Sequence, residues 1–186
     1  MKRSALFHLH RRMGARFGEY AGWELPEFFT APGLEASHAR IRAALADVSF
    51  RAKFETARPS DRHSWRLRDD RHLTVGDPPL EPPRDSVDVT SVYTNLLLAG
   101  TRSRDVLARL TSLNTSEDRL PNLACAQANV AHVHTIVLRE DLRNAPAYHL
   151  LVTRDYAESF WEALMHAGHE FSMQPFGMKA LKELRA

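Results

Sequence analysis

The chain lacks several features that would assign it to a functional class at once. It has one cysteine, Cys125, among 186 residues, so no disulfide can form within it. A single free thiol is consistent with a reducing compartment, and we therefore expect a cytoplasmic protein. No apolar run approaches the roughly 18 residues that a membrane span needs, so no membrane association is expected. The basic start carries no continuous apolar core, and we expect no signal peptide.

The net charge is low as well, and motifs that bind redox cofactors are absent from the sequence. The net charge is +2, and the arginines are scattered among acidic residues. A nucleic-acid-binding protein clusters its basic residues, so we expect no nucleic-acid partner. The sequence has no glycine-rich dinucleotide fingerprint, no cysteine cluster for an iron–sulfur centre and no haem attachment motif. Any redox cofactor is therefore expected on partner chains.

The hydrophobic spacing predicts an α+β fold with mostly antiparallel strand pairing. The aromatic segment 15–29 fits neither helical nor strand periodicity and is predicted to be a loop. Gly168 is expected as the glycine that follows a helix. Helices are predicted over 4–16, 34–46, 103–113 and 155–168 and from near Gly177, and strands over 48–55, 64–67, 72–76, 94–100, 131–139 and 147–154.

Residues 76–86 carry four prolines in eleven residues, GDPPLEPPRDS. Such a stretch favours an extended, semi-rigid conformation and is interpreted as a linker. The expected organisation is an amino-terminal half over 1–75 with the aromatic segment, the linker 76–86, and a second α+β half over 87–186. Together these halves are expected to form one compact unit.

Two clusters of residues resemble a known family. The first cluster is Phe17, Tyr20, Ala21, Gly22, Trp23, Glu24, Leu25 and Pro26, and the second is His38, Arg42, Leu45, Asp47, Val48 and Ser49. They resemble the amino-terminal signature of the folate-binding aminomethyltransferases, the glycine cleavage T-protein family. Segments 94–113, 148–168 and 174–184 resemble later parts of the same family. The resemblance implies a reduced T-protein-like folate-binding fold built from two small antiparallel α/β halves.

The chain departs from the family pattern at two positions. A family segment that supplies a catalytic aspartate has no counterpart here, and His149 stands where the family has a glutamate. A carboxylate can accept two adjacent N–H groups of a pterin, whereas a histidine offers one nitrogen at a time. The short chain also resembles the small γ subunits of heterotetrameric sarcosine oxidases, through Cys125, Ala126, Gln127, Tyr156, Phe160 and Trp161.

These resemblances imply a subunit that binds tetrahydrofolate within a larger complex that oxidatively demethylates a methylated amine. Its partners would be larger redox subunits, and the bound folate would capture released formaldehyde. No residue of this chain is expected to be catalytic. The implied folate-binding side chains are Tyr20, Trp23, Glu24, Tyr93, Tyr148 and His149. One alternative is a scaffold without a ligand, and another is an independent transferase that uses Glu140 or Asp141 as its acid–base group.

Several of these residues have a simpler structural interpretation. Taken by itself, Trp23 is expected to be a core residue that packs on the first helix, because aromatic residues are so often core residues. His132, His134 and His149 could converge on a metal, but no carboxylate or cysteine is spaced to complete the set, and no metal site is expected. Cys125 has no base nearby in sequence and is expected to be a buried structural thiol.

Overall fold

The computed structural model describes residues 1–60, 63–143 and 145–186. This part of the chain forms five α-helices, two short 3-10 helices and thirteen strands. The helices are α1 (Phe7–Arg12), α2 (Pro32–Ile41), α3 (Ser103–Ala108), α4 (Ala157–Gly168) and α5 (Met178–Arg185). The strands are β1 (Lys2–Arg3), β2 (Arg16–Tyr20), β3 (Trp23–Phe28), β4 (Ala44–Asp47), β5 (Ala52–Thr56), β6 (Trp65–Arg68), β7 (Arg71–Gly76), β8 (Val87–Asp88), β9 (Tyr93–Ala99), β10 (Cys125–Val130), β11 (Val133–Arg139), β12 (Ala147–Thr153) and β13 (Gln174–Pro175).

The central sheet has six strands in the order β10-β11-β12-β9-β4-β13. Its first five strands pair antiparallel, and β13 joins β4 in parallel. Strand β4 precedes the proline-rich segment 76–86, whereas β9 and its other neighbours follow that segment. Strands from both sides of the proline-rich segment therefore share one sheet.

Two smaller sheets complete the α+β architecture. A three-stranded sheet has the order β1-β3-β2, and a four-stranded sheet has the order β6-β7-β5-β8. No helix in the described ranges is long and apolar enough to cross a membrane.

Alternation along β9 divides the core into layers. Leu96 and Leu98 belong to one apolar cluster, with Phe160 and Trp161 of α4, and Leu97 belongs to another. Neighbouring residues of a strand point to opposite faces, so one strand can supply both layers. Phe160 and Trp161 are at most 1% exposed, and burial of such a side chain contributes about 2 to 3 kcal/mol.

The aromatic segment forms a β-hairpin, so the predicted loop is wrong. Strands β2 and β3 pair from Tyr20↔Trp23 outward, and Ala21 and Gly22 have φ of 49° and 79°. Two positive φ angles are what a two-residue type I′ turn requires. A proline such as Pro26 disfavours a central strand, because it has no N–H to donate. It is tolerated because β1 pairs only with the first two residues of β3.

The helix predicted over 34–46 is wrong at its end, because α2 stops at Ile41 and residues 44–47 form β4. Ile41, the last residue of α2, is 67% exposed. All four residues of β4 are buried. A strand covered on both faces shows no alternation, and its apolar run resembles part of a helix.

Other helix ends also differ from their predictions, and the helix predicted over 103–113 ends at Ala108 as α3. Helix α1 begins at Phe7 and ends at Arg12, so it is shorter than 4–16. Gly168 does not take the left-handed position, which belongs to Ser172 with φ 56°. A Cβ on Gly168 would lie 2.5 Å from Cε of Met173, so the glycine serves close packing. The short helix expected from near Gly177 is confirmed as α5.

Gly100 lies at the junction between β9 and α3, and we expect Gly100→Ala to destabilise the fold by about 3 kcal/mol or more. Its φ is +112°, and an added Cβ would lie 2.1 Å from the carbonyl oxygen of Arg42. Urea unfolding measures the loss. Gly33→Ala is the matched control, because a Cβ there meets no atom within 4 Å and helix propensity favours alanine by about 0.5 to 1 kcal/mol. Equal stability of the two variants would contradict the steric argument.

Candidate functional site

Polar side chains meet on one face of the central sheet, where two apolar clusters adjoin. His149 on β12 and Asn95 on β9 point to the same face, and His149 Nδ1 lies 3.1 Å from Asn95 Oδ1. Leu97 and Leu151 flank them in the two clusters. Both polar side chains are at most 1% exposed, so each needs a partner within the protein.

Arg51 supplies the central charge of this face. It lies in the turn between β4 and β5, and its side chain is 6% exposed. Its Nη1 donates to Glu140 Oε2 and to His149 Nε2, at 2.7 Å each. Its Nε lies 2.9 Å from Asp77 Oδ1. A buried guanidinium is tolerated only when such partners replace its hydration.

These contacts determine the tautomer of His149. A nitrogen that accepts from a guanidinium must carry a lone pair, so Nε2 is unprotonated and Nδ1–H donates to Asn95 Oδ1. The imidazole is therefore neutral. Burial, reinforced by the charge of Arg51, lowers the pKa of His149 to about 4. Glu140 Oε2, at 3.1 Å from Nε2, shares Arg51 with the imidazole rather than binding an imidazolium.

Glu140 remains ionised in this environment. Burial alone would raise the pKa of Glu140, but the charge and the hydrogen bond of Arg51 outweigh it and lower that pKa below its usual range. A carboxylate of low pKa that is already paired is a poor general acid or base at neutral pH. The arrangement holds charges in place; it does not provide a proton donor or acceptor.

Asp77 extends the cluster to two further segments. It is the first residue after β7 and pairs with Arg51 and with Arg185 of α5. The proline-rich segment and α5 are thereby tied to the central sheet. We call this set the Arg51 network, with the members Arg51, Asp77, Asn95, Glu140, His149 and Arg185.

A buried lysine holds the turn that carries Arg51. Lys53 Nζ donates to the carbonyl oxygens of Ser49, Arg51 and Thr90 at 2.9, 2.8 and 3.2 Å. Its side chain is fully buried, and burial lowers the pKa of Lys53 to about 7. The sequence reasoning missed this residue. A lysine on a strand between two apolar neighbours was the available signal.

A second buried polar group lies at the other end of the same turn. Asp47 Oδ1 accepts from the backbone N–H of Ser49 at 3.0 Å and from its hydroxyl at 2.6 Å. Asp47 Oδ2 lies 3.5 Å from Nε2 of the buried His10. Burial would raise the pKa of Asp47, but contacts with His10, Ser4 and Ser49 lower it. The Asp-Val-Ser motif thus closes the turn between β4 and β5.

Three of the predicted folate-binding residues lie on the aromatic hairpin. Trp23 is 6% exposed and packs in the apolar cluster with Leu25 and Phe176. Glu24 accepts from Arg3 Nε at 2.8 Å. Tyr20 is half-buried opposite Trp23 in the hairpin pairing.

The other three predicted residues lie on the central sheet but do not converge. Tyr93 accepts from Arg71 at 2.9 Å, and Tyr148, fully buried on the opposite face from His149, accepts from Arg104 at 3.1 Å. Trp23 and Tyr93 line one small cavity of about 10 Å³, the space of about one water molecule. The six residues therefore do not form one pocket, and their contact with folate stays a prediction.

The residues considered for metal binding and thiol chemistry lie apart. His132 and His134 are exposed, whereas His149 is buried. Within the described ranges, no three histidine, cysteine or acidic side chains are placed to hold a metal ion. Cys125 is half-buried rather than buried; its Sγ lies 3.2 Å from the carbonyl oxygen of Arg66, and burial raises its pKa.

We expect His149 to make the stability of the chain acid-sensitive. Its pKa falls on folding from 6.5 to about 4. The unfolded chain therefore binds a proton at higher pH than the folded chain does, and stability is lost as the pH falls from about 6.5 towards 4. Between pH 6.5 and about pH 5, the chain should lose about 1 to 2 kcal/mol of unfolding free energy relative to His149→Gln. Urea titrations at several pH values measure this difference, and parallel pH profiles would contradict the buried neutral imidazole.

Removal of the central charge should cost more than removal of a surface arginine. Arg51→Met leaves Glu140 and Asp77 without their shared cation, and we expect a loss of about 2 to 3 kcal/mol at neutral pH. The imidazole of His149 should then titrate at higher pH, which NMR detects. Arg66→Met is the control: Arg66 pairs with Asp69 in solvent, and its loss should change stability by less than about 0.5 kcal/mol. Similar losses in the two variants would argue against the network.

Comparisons with known proteins extend over the whole chain. An aminomethyltransferase of Acidobacterium capsulatum is 24% identical over an alignment that covers 100% of this chain and 62% of the relative. The structure of the glycine cleavage system aminomethyltransferase T from Bartonella henselae matches 99% of this chain and 62% of that chain, at 18% identity and a TM-score of 0.77. The chain thus spans less than two thirds of the length of these relatives.

A second structure is matched over nearly its whole chain. It is a chain of the heterotetrameric sarcosine oxidase from Corynebacterium sp. U-96, solved in complex with pyrrole 2-carboxylate. The match covers 92% of this chain and 96% of that chain, at 15% identity and a TM-score of 0.64. Together, the two structural matches show that the fold is that of the T-protein. The GCVT N-terminal domain matches residues 67–186, and the chain belongs to this family of T-protein-like proteins.

Proposed function

We propose that this chain is a T-protein-like subunit of a hetero-oligomeric oxidase that demethylates a methylated amine. The observation that carries the proposal is the likeness of the fold to one chain of a heterotetrameric sarcosine oxidase, at a TM-score of 0.64. In this assignment the larger partner subunits hold the redox cofactor, since the sequence has none of the motifs that bind one. A lone thiol is consistent with a reducing compartment, and the proposed location of the complex is the cytoplasm.

Family membership supports a folate-holding role within such a complex. Oxidation of an N-methyl group followed by hydrolysis releases formaldehyde. The two amine nitrogens of tetrahydrofolate add to it with loss of one water, which gives the 5,10-methylene adduct. A protein that holds folate where the formaldehyde is released accelerates the capture mostly through proximity, and it needs no catalytic residue of its own. Tyr20, Trp23, Glu24, Tyr93, Tyr148 and His149 are the proposed contacts.

The Arg51 network favours a second candidate, an assembly subunit without a ligand. His149 stands where the family has a glutamate, and its imidazole is 1% exposed beneath Arg51 and Glu140. A pterin could reach this position only after Arg51 moved, which would break contacts to both Glu140 and Asp77. The described geometry thus disfavours folate contact at His149 and favours the candidate without a ligand.

An independent aminomethyltransferase is the least supported reading. Its acid–base group would be Glu140 or Asp141, and both carboxylates already bind arginines. Glu140 pairs with Arg51 at 2.7 Å, and Asp141 pairs with Arg139 at 2.7 Å. Neither is free to exchange protons with a substrate in this arrangement.

The proposal is tested by isolating the chain from its native host with a mild affinity tag and identifying what co-elutes. The complex is then titrated anaerobically with tetrahydrofolate by calorimetry. Co-elution of redox subunits together with saturable folate binding would support the formaldehyde-capturing subunit. Co-elution without binding would support the assembly subunit. Elution of the chain alone, with aminomethyltransferase activity, would refute both.

A further inference from the structure

A groove between α1 and the β2–β3 hairpin lies apart from the Arg51 network. Its volume is about 540 Å³, within the range of small-molecule sites. Helix α1 forms one side, and the hairpin forms the other. The lining residues are Arg3, Phe7, Arg11, Ala15, Arg16, Phe17, Glu24, Glu27 and Phe28.

The charges of this groove do not cancel. Glu24 pairs with Arg3 at 2.8 Å, and Glu27 pairs with Lys179 at 3.2 Å. The remaining cations, Arg11 and Arg16, are exposed, and neither has a carboxylate within 4.0 Å among the described residues. The neighbouring Arg12 differs, because it pairs with Glu158. Two positive charges of the groove are thus left for an external anion.

Aromatic rings supply a flat apolar surface beside these charges. The rings of Phe7 and Phe17 lie 4.8 Å apart, and the guanidinium of Arg3 stacks 4.2 Å from the centre of Phe7. On the other side, Lys179 lies 5.5 Å from the centre of the Phe28 ring. The salt bridge to Glu24 holds Arg3 in its stacked position, so this surface is ordered before any ligand arrives.

We propose that this groove binds a small dianion with a flat apolar body, such as an aromatic dicarboxylate. Each carboxylate can accept two parallel N–H bonds from an arginine, Arg11 or Arg16, while the ring lies on Phe7 and Phe17. Because Glu24 and Glu27 are already paired, the two arginines that remain match a ligand with two negative charges. This assignment does not depend on the role of the chain in an oxidase.

The test uses benzene-1,3-dicarboxylate as a probe, titrated calorimetrically into the full chain at low ionic strength. Benzoate, with the same ring and one carboxylate, is the matched ligand control. The dicarboxylate should bind about tenfold more tightly, because its second charge engages the second arginine. Added salt should weaken the dicarboxylate more than benzoate.

Arg11→Gln and Arg16→Gln should each remove most of this preference, reducing the affinity for the dicarboxylate about tenfold and leaving that for benzoate within about threefold. Arg119→Gln is the control, since Arg119 is exposed and does not line the groove. Circular dichroism verifies that each variant is folded. The proposal would be overturned by equal affinity for the two probes or by no saturable binding. It would also be overturned if a variant with both Arg11→Gln and Arg16→Gln still preferred the dicarboxylate over benzoate.

Discussion

Burial of the Arg51 guanidinium is the constraint from which the rest of the polar interior follows. A cation withdrawn from water at 6% exposure needs anions and lone pairs at short range, and three separate segments provide them. Glu140 comes from the end of β11, Asp77 from the segment after β7, and His149 from β12. Because His149 must accept from Arg51, it stays neutral, and this in turn assigns the role of Asn95.

The turn that carries Arg51 is built to present it. Asp47 and Ser49 close one end of that turn, and Lys53 fills the other with three hydrogen bonds to carbonyl oxygens. These bonds fix the backbone on both sides of Arg51. Its long side chain therefore loses less entropy when it enters the network than it would from a free loop.

The sequence predicted the regular central strands and α4 well, because their apolar residues follow clear periods. The central strands predicted over 94–100, 131–139 and 147–154 lie within two residues of β9, β11 and β12. Local patterns failed where tertiary pairing overrides them. Pro26 is tolerated by the shortness of β1, and β4 shows no alternation because it is covered on both faces. The family resemblance gave the fold, which composition alone would have left as a general α+β domain.

Within the candidate site, the sequence identified His149 but not its neighbours. Arg51 and Asp77 lie in a turn and a proline-rich segment, and nothing local indicates that both reach the same sheet face. Tyr93 and Tyr148 were grouped with the hairpin aromatics, yet they lie on separate faces and already bind arginines. Convergence of side chains from distant segments depends on sheet order, which a single sequence does not encode locally.

The place of β4 in the central sheet bears on how the chain folds during synthesis. Strand β4 has β9 on one side and β13 on the other, and residues 93–99 and 174–175 leave the ribosome long after residues 44–47. One edge of β4 thus stays unpaired until β9 has been made, and the other edge stays unpaired while more than a hundred residues are added. Exposed strand edges of this kind are prone to aggregation, so the nascent amino-terminal half is the part of the chain that a chaperone has most reason to cover.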